Sequence, residues 1–136
     1  MSGIGDPIYV DTSALVKLVI DEPESESLAA QLVESGLTLT SSELAEVELL
    51  RAVARSGPDR IREANGLLRR TLLLPMTREI RKRAASIKPV SVRSLDAVHL
   101  ATAIEIQADL HSLLSYDAGL LAAAQGAGIA VSSPGA

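Results

Sequence analysis

Two aspartates stand where short β-favouring runs stop. Pro7-Ile-Tyr-Val10 ends at Asp11, and Leu110–Tyr116 ends at Asp117. Two further acids lie on segments of helical periodicity: Glu48 within Ser42–Arg55, and Asp96 in the first turn of Leu95–Gln107. In an open parallel sheet, ligands bind beyond the carboxyl ends of the strands, so Asp11 and Asp117 are expected at that edge. Asp96 is surrounded in sequence by Leu95, Ala97, Val98, Leu100 and Ala101. An acid there needs a partner, either the helix N-terminus or a cation. Of Glu43, Glu46 and Glu48, the last shares a helical stripe with Arg51 and Arg55, while Glu46 falls about 160° away from it. Glu48 is therefore the candidate to join the aspartates.

Four carboxylates converging on one crevice cannot all stay ionised without a counter-charge. Oxygen-only ligands suit Mg²⁺ or Mn²⁺, ions that keep several waters and often bridge to phosphate. The chemistry that follows is metal-assisted hydrolysis of a phosphodiester, in which the cation lowers the pKa of a bound water and stabilises charge on the scissile phosphate. Each acid also has a local explanation. Asp11 and Asp117 could cap the helices that follow them, Asp96 could complement a helix dipole, and Glu48 could pair with Arg51 at i+3. Thr12, Ser13 and Ser115 could orient Asp11 or a metal-bound water, or act as caps. Arg51 and Arg55 could hold phosphate, or Arg51 could be tied to Glu48. His99, one turn after Asp96, reads as structural rather than as a general base, a role that needs geometry the sequence does not provide.

The elements that must position these groups alternate. After the first strand, Thr12–Ile20 is apolar at helical spacing, and Pro23 opens a second helix that stops near Ser35-Gly36. Leu37–Thr40 reads as a strand, Ser42–Arg55 as a helix broken by Gly57-Pro58, and Asp59–Leu72 as another helix. Leu73–Met76 is strand-like, and Arg78–Ser86 is a basic helix. A turn at Lys88-Pro89 leads to the helix Leu95–Gln107, with Ser94 as its N-cap. The strand Leu110–Tyr116, an alanine-rich helix to Gly126 and a strand Ile129–Val131 complete the chain. Strands alternating with helices predict an α/β fold with a parallel sheet covered on both faces.

The 136 residues fit one domain, 1–136, long enough to bury a core without staples. With no cysteine, the chain has no disulfide, thiolate metal site or cysteine nucleophile. Tyr9 and Tyr116 are its only aromatics, which excludes base stacking on an aromatic platform as the main mode of binding. No apolar run reaches the roughly 18 residues of a membrane span, and Met1–Pro7 lacks the features of a secretory leader, so the expected compartment is the cytoplasm. The net charge of −4 conceals a division: Arg51–Arg93 holds 12 of the 13 basic residues and nets +9, leaving −13 on the remainder. That asymmetry reads either as a basic surface for phosphates beside an acidic one, or as a pair of solvated helices.

Four segments, in order, resemble the PIN-domain ribonucleases and, among them, the VapC toxins of prokaryotic toxin–antitoxin pairs. They are Ile8-Tyr-Val-Asp11-Thr-Ser-Ala-Leu-Val-Lys-Leu18, Ser42-Glu-Leu-Ala-Glu-Val-Glu48-Leu-Leu-Arg51-Ala52, Ser94-Leu-Asp96-Ala-Val-His-Leu-Ala-Thr-Ala103 and Leu114-Ser-Tyr-Asp117. Ser115 stands where relatives commonly carry threonine, and the hydroxyl is kept. The resemblance implies a three-layer α/β/α fold with a short parallel central sheet. It also implies Asp11, Glu48, Asp96 and Asp117 as a quartet that binds Mg²⁺ or Mn²⁺, and cleavage of RNA, in tRNA or rRNA loops. A homodimer and a cognate VapB-type antitoxin are expected by the same likeness. Two alternatives compete. An aspartate-dependent phosphohydrolase would use Asp11 as nucleophile, although the dehalogenase signature wants an aspartate where Ser13 stands. A non-catalytic module would act only through its antitoxin complex. No Gly-x-Gly-x-x-Gly follows any strand, which disfavours a dinucleotide site.

Overall fold

The computed structural model describes residues 5–136. The expectation about a secretory leader falls partly on residues 1–4, which lie outside them. Five strands run in the order β1 Pro7–Val10, β2 Thr38–Ser42, β3 Leu72–Leu74, β4 Ser112–Leu114 and β5 Val131–Ser132 along the chain. In space their order is β3-β2-β1-β4-β5, and every pairing is parallel. The chain moves outward from β1 to β2 and β3, then returns to the other side of β1 for β4 and β5. The order therefore reverses between β1 and β4, and the crevice of a doubly wound sheet opens there.

Side chains alternate across the short strands and feed two apolar layers. On one face, Ile8, Val10 and Leu114 meet Leu15 of α1 (Thr12–Lys17), Leu28 of α2 (Ser25–Ser35), Leu49 of α3 (Leu44–Val53) and Leu67 of α4 (Pro58–Arg69). On the other, Tyr9 and Leu113 meet Leu100 and Ala103 of α6 (Ser94–Glu105) and Leu120 and Ala124 of α7 (Ala118–Gly126). The remaining helix, α5 (Arg78–Ala85), packs on α6 and buries only Ile80. The arrangement is the expected α/β/α sandwich. Among the described residues no helix is long and apolar enough to cross a membrane.

Element boundaries differ from the sequence-based expectation where tertiary partners compete with local preference. The strand expected to stop at Thr40 runs on to Ser42, because Ser41 and Ser42 pair with Leu73 and Leu74 of β3, and the Ser41 hydroxyl donates to the Val10 carbonyl at 2.6 Å. The following helix consequently starts at Leu44, not Ser42. The first helix ends at Lys17 rather than Ile20, and Pro23 precedes α2 instead of opening it. Gly36 closes α2 at a φ of 65°, a left-handed stop that only glycine adopts freely. Ser94 is not the N-cap of α6. Arg93 holds that position, its carbonyl accepting from the Ala97 amide at 2.8 Å, with no side-chain cap.

Leu49 is fully buried on α3 between the sheet and α4. Leu49→Ala is expected to cost about 2–5 kcal/mol in urea unfolding, whereas Val33→Ala, on the exposed face of α2, should change stability by about 0.5 kcal/mol or less.

Candidate active site

The site grows from the end of the central strand. Asp11 follows β1 directly and serves as the N-cap of α1, accepting the Ala14 amide at 3.2 Å. It is only 3% exposed, and hydroxyls complete its shell: Ser13 donates to Oδ1 at 2.7 Å and Ser115 to Oδ2 at 2.8 Å. The two serines are themselves fixed by the chain after β4, with the Tyr116 amide donating to Ser13 and the Asp117 amide to Ser115. Strand ends that are far apart in sequence are thus joined around one carboxylate. Burial pushes the Asp11 pKa up, and the hydroxyl and amide donors oppose that shift.

Glu48 comes from α3. Two donors from different helices converge on its Oε1: the Thr12 hydroxyl at 2.6 Å and His99 Nε2 at 2.8 Å. Partial burial acts to raise its pKa, but these hydrogen bonds outweigh burial and hold the carboxyl below its usual range. Oε2 accepts no hydrogen bond among the described residues. The alternative pairing of Glu48 with Arg51 does not form, and Arg51, in the last turn of α3, and Arg55, just beyond that helix, are both exposed, outside the depression that the acids line.

Asp96 and Asp117 stand at the rim. Asp117 caps α7 through the Leu120 amide at 2.9 Å, the local role expected of it, and also lines the depression described below. Asp96 is in the first turn of α6. Burial raises the Asp96 pKa, the nearby Asp117 charge adds to the rise, and Arg93 opposes it. Arg93 clasps the pair, its Nη2 at 2.5 Å from Asp117 Oδ2 and its Nε at 3.5 Å from Asp96 Oδ2, while its own side chain is 77% exposed.

All four acids, with Thr12, Ser13, Arg93 and His99, line one depression of about 380 Å³ at the carboxyl edge of the sheet. A larger depression of about 620 Å³ lies between α5, α6 and α7 and has no acidic residue in its lining. The donor set is all oxygen, as a hard divalent cation requires. As they stand, no three acid or histidine donors among the described residues converge closely enough to hold an ion. Arg93 lies between Asp96 and Asp117, and Glu48 Oε1 is taken up by two donors. A cationic group already bridges two of the carboxylates, so the residues fit a cation that takes its place.

Sequence reasoning missed Arg93, and it read His99 as structural without seeing its contact with Glu48. Their signals were weak but present: Arg93 and His99 lie three residues before and after Asp96, on its helical face.

The chain matches the PIN domain family over residues 8–126. It is 42% identical over 133 residues to ribonuclease VapC47 of Mycobacterium tuberculosis, covering 95% of this chain and 98% of that one. To ribonuclease VapC46 of the same species it is 37% identical over 127 residues, covering 93% and 97%. Among solved structures, it superposes on M. tuberculosis VapC20, described as a sarcin–ricin loop cleaving toxin, with a TM-score of 0.74 at 15% identity over 93% of this chain and 99% of that one. A toxin–antitoxin complex from Klebsiella pneumoniae gives a TM-score of 0.71 at 19% identity, over 93% and 97%. The solved structures are matched in fold, the family and its ribonucleases in sequence over nearly the full chain. This chain belongs to the PIN-domain family, among the VapC ribonucleases.

Proposed function

We propose that this chain is the toxin of a type II toxin–antitoxin pair, a cytoplasmic Mg²⁺- or Mn²⁺-dependent endoribonuclease that hydrolyses phosphodiesters at specific sites in tRNA or rRNA loops. A VapB-type antitoxin silences it, and it acts as a homodimer of single-domain chains. The observation that carries this reading is the gathering of Asp11, Glu48, Asp96 and Asp117 around one depression at the switch point of the sheet.

Asp11, Glu48, Asp96 and Asp117 would hold the divalent ion, which when bound would supply Lewis acidity beside the scissile phosphate and make water easier to deprotonate for the attack. The protein's part is to keep these carboxylates charged and aimed. Ser13 and Ser115 donate to Asp11 and favour its ionised form, partly offsetting the rise that burial imposes. Thr12 and His99 hold Glu48. Arg93 is the counter-charge of the metal-free site and is free to turn outward, towards phosphate, when an ion takes over Asp96 and Asp117. RNA is held by its backbone: Tyr9 is buried, and the half-buried Tyr116 carries the Lys17 ammonium over its ring, 4.8 Å from the centroid. Exposed arginines and lysines of α4 and α5, among them Arg69, Arg70, Arg78 and Lys82, supply the phosphate contacts. The competing phosphohydrolase reading is disfavoured at Asp11 itself: a residue 3% exposed with both oxygens hydrogen-bonded is poorly placed to attack phosphorus.

Induction of this chain in a bacterium is expected to arrest growth and create discrete new RNA ends, while folded Asp96→Asn does neither. Equal arrest by Asp96→Asn would refute the nuclease reading. The cost of burying charge gives a second expectation. The Asp11 pKa is higher in the folded chain than in the unfolded one. The folded state therefore holds more protons between the two values, and stability falls as pH rises through that window. Asp11→Asn should accordingly melt no lower than wild type at pH 7 without metal, with any advantage shrinking as pH drops through the carboxylate range. Mn²⁺ should raise the melting temperature of wild type but not of that variant. Because Arg93 is largely exposed, its pairing is weak. Arg93→Ala is expected to bind Mn²⁺ about two- to fivefold more tightly in calorimetry.

A further inference from the structure

His99 and Tyr9 form a buried polar chain that ends on Glu48. His99 lies on α6 and is 2% exposed, while Tyr9, in the middle of β1, is fully buried. The tyrosine hydroxyl is 2.6 Å from His99 Nδ1, and the two rings meet edge-on at 73° with centroids 5.8 Å apart. The other ring nitrogen, Nε2, meets Glu48 Oε1 at 2.8 Å.

The direction of these bonds follows from chemistry. An ionised carboxylate can only accept, so Nε2 carries a proton. A neutral ring protonated at Nε2 presents a lone pair at Nδ1, and the Tyr9 hydroxyl fills it. In that neutral tautomer the chain runs from the Tyr9 hydroxyl to Nδ1, and from Nε2–H to the carboxylate. Leu100, Leu113 and Leu120 belong to the same layer as Tyr9, and two polar groups among such neighbours are costly unless each finds a partner. A leucine or phenylalanine pair would fill the same space without that requirement. What the polar pair adds is a donor aimed at Glu48. The Thr12 hydroxyl, from α1, meets the same oxygen, so Oε1 takes both donors and Oε2 takes none among the described residues.

We infer that Tyr9 and His99 are positioning residues that lock Glu48 through Oε1 and so reserve Oε2 for the divalent ion. The inference rests on the proposed role of Glu48 as a metal-holding carboxylate. Tyr9 sets the tautomer, His99 transmits it, and neither touches ion or RNA. A glutamate carries three side-chain torsions, so fixing one oxygen through two donors removes most of the freedom that ion binding would otherwise have to quench. Supporting groups of this kind commonly change metal affinity or activity by about 10- to 100-fold when removed.

The test measures the Mn²⁺ dissociation constant by calorimetry on RNA-free protein for wild type, His99→Gln, His99→Asn, His99→Leu, Tyr9→Phe and Glu48→Gln. Thermal melts in EDTA monitor the fold, and kcat and KM are measured for RNA cleavage. Glutamine places an amide N–H near the position of Nε2, whereas asparagine is too short to reach. The expected results are about 10-fold or greater weakening in His99→Leu and His99→Asn, near-wild-type binding in His99→Gln, and an intermediate loss in Tyr9→Phe. In the impaired variants kcat should fall while KM is maintained. Folded His99→Leu and His99→Asn that bind Mn²⁺ like wild type would overturn the inference, as would a His99→Gln no better than leucine. If the leucine variant does not fold, the glutamine–asparagine comparison decides alone. Wild-type Mn²⁺ affinity in Glu48→Gln would instead overturn the assignment of Glu48 to the ion, on which the inference depends.

Discussion

Asp11 is a carboxylate placed where the central strand of the sheet ends, almost wholly shielded from water. Ionised, it must be compensated there, and much of the local structure can be understood as that compensation. The Ala14 amide of the helix it caps, the Ser13 hydroxyl two residues on, and the Ser115 hydroxyl beyond β4 all donate to it. Those donors are held in turn by amides after β4, so the register of β1 with β4 and the geometry around Asp11 depend on each other. The topology makes this possible. Only at the point where the strand order reverses do two adjacent strand ends face a crevice that no crossover helix covers.

A second layer of constraint comes from like charge. Glu48, Asp96 and Asp117 share the depression with Asp11 and are held in two ways: Glu48 by a hydroxyl and an imidazole, Asp96 and Asp117 by one exposed guanidinium. The division is physically sensible. The inner acids are fixed by short hydrogen bonds within the fold, whereas the rim acids are compensated by a side chain that can leave at little cost. Like charge held this close favours any cation near it, and here Arg93 is that cation. Function, on this view, is drawn from an unfavourable concentration of charge that the rest of the sandwich is stable enough to tolerate.

The parts of this arrangement that were legible in the sequence are those set by local rules. Asp11 and Asp117 each end a β-favouring run and begin a helix, so strand-end placement and capping coincide in the same residue. Glu48 separated from Glu46 on the helical wheel alone. The alternation of strands and helices gave the parallel sheet. Boundaries were less legible where distant residues decide them: Ser41 and Ser42 join β2 because β3 lies alongside, and Arg93 displaces Ser94 as the first residue of the α6 cap. Arg51 looked like the partner of Glu48 because i+3 spacing is a local signal, yet donors 36 and 51 positions away in the chain took the carboxylate. The Tyr9–His99 contact spans 90 positions, and no periodicity or motif encodes a contact of that kind.

The central claim is that these four acids form one metal-dependent ribonuclease centre, and purified, antitoxin-free protein tests it most directly. Total RNA would be incubated with Mg²⁺, Mn²⁺ or EDTA, and the new ends mapped by sequencing, with a folded Asp11→Asn protein alongside. The account predicts cuts at a small number of discrete positions with either metal, and none with EDTA or with the variant. Cuts that persist in EDTA, or that the Asp11→Asn protein makes at the wild-type rate, would contradict it.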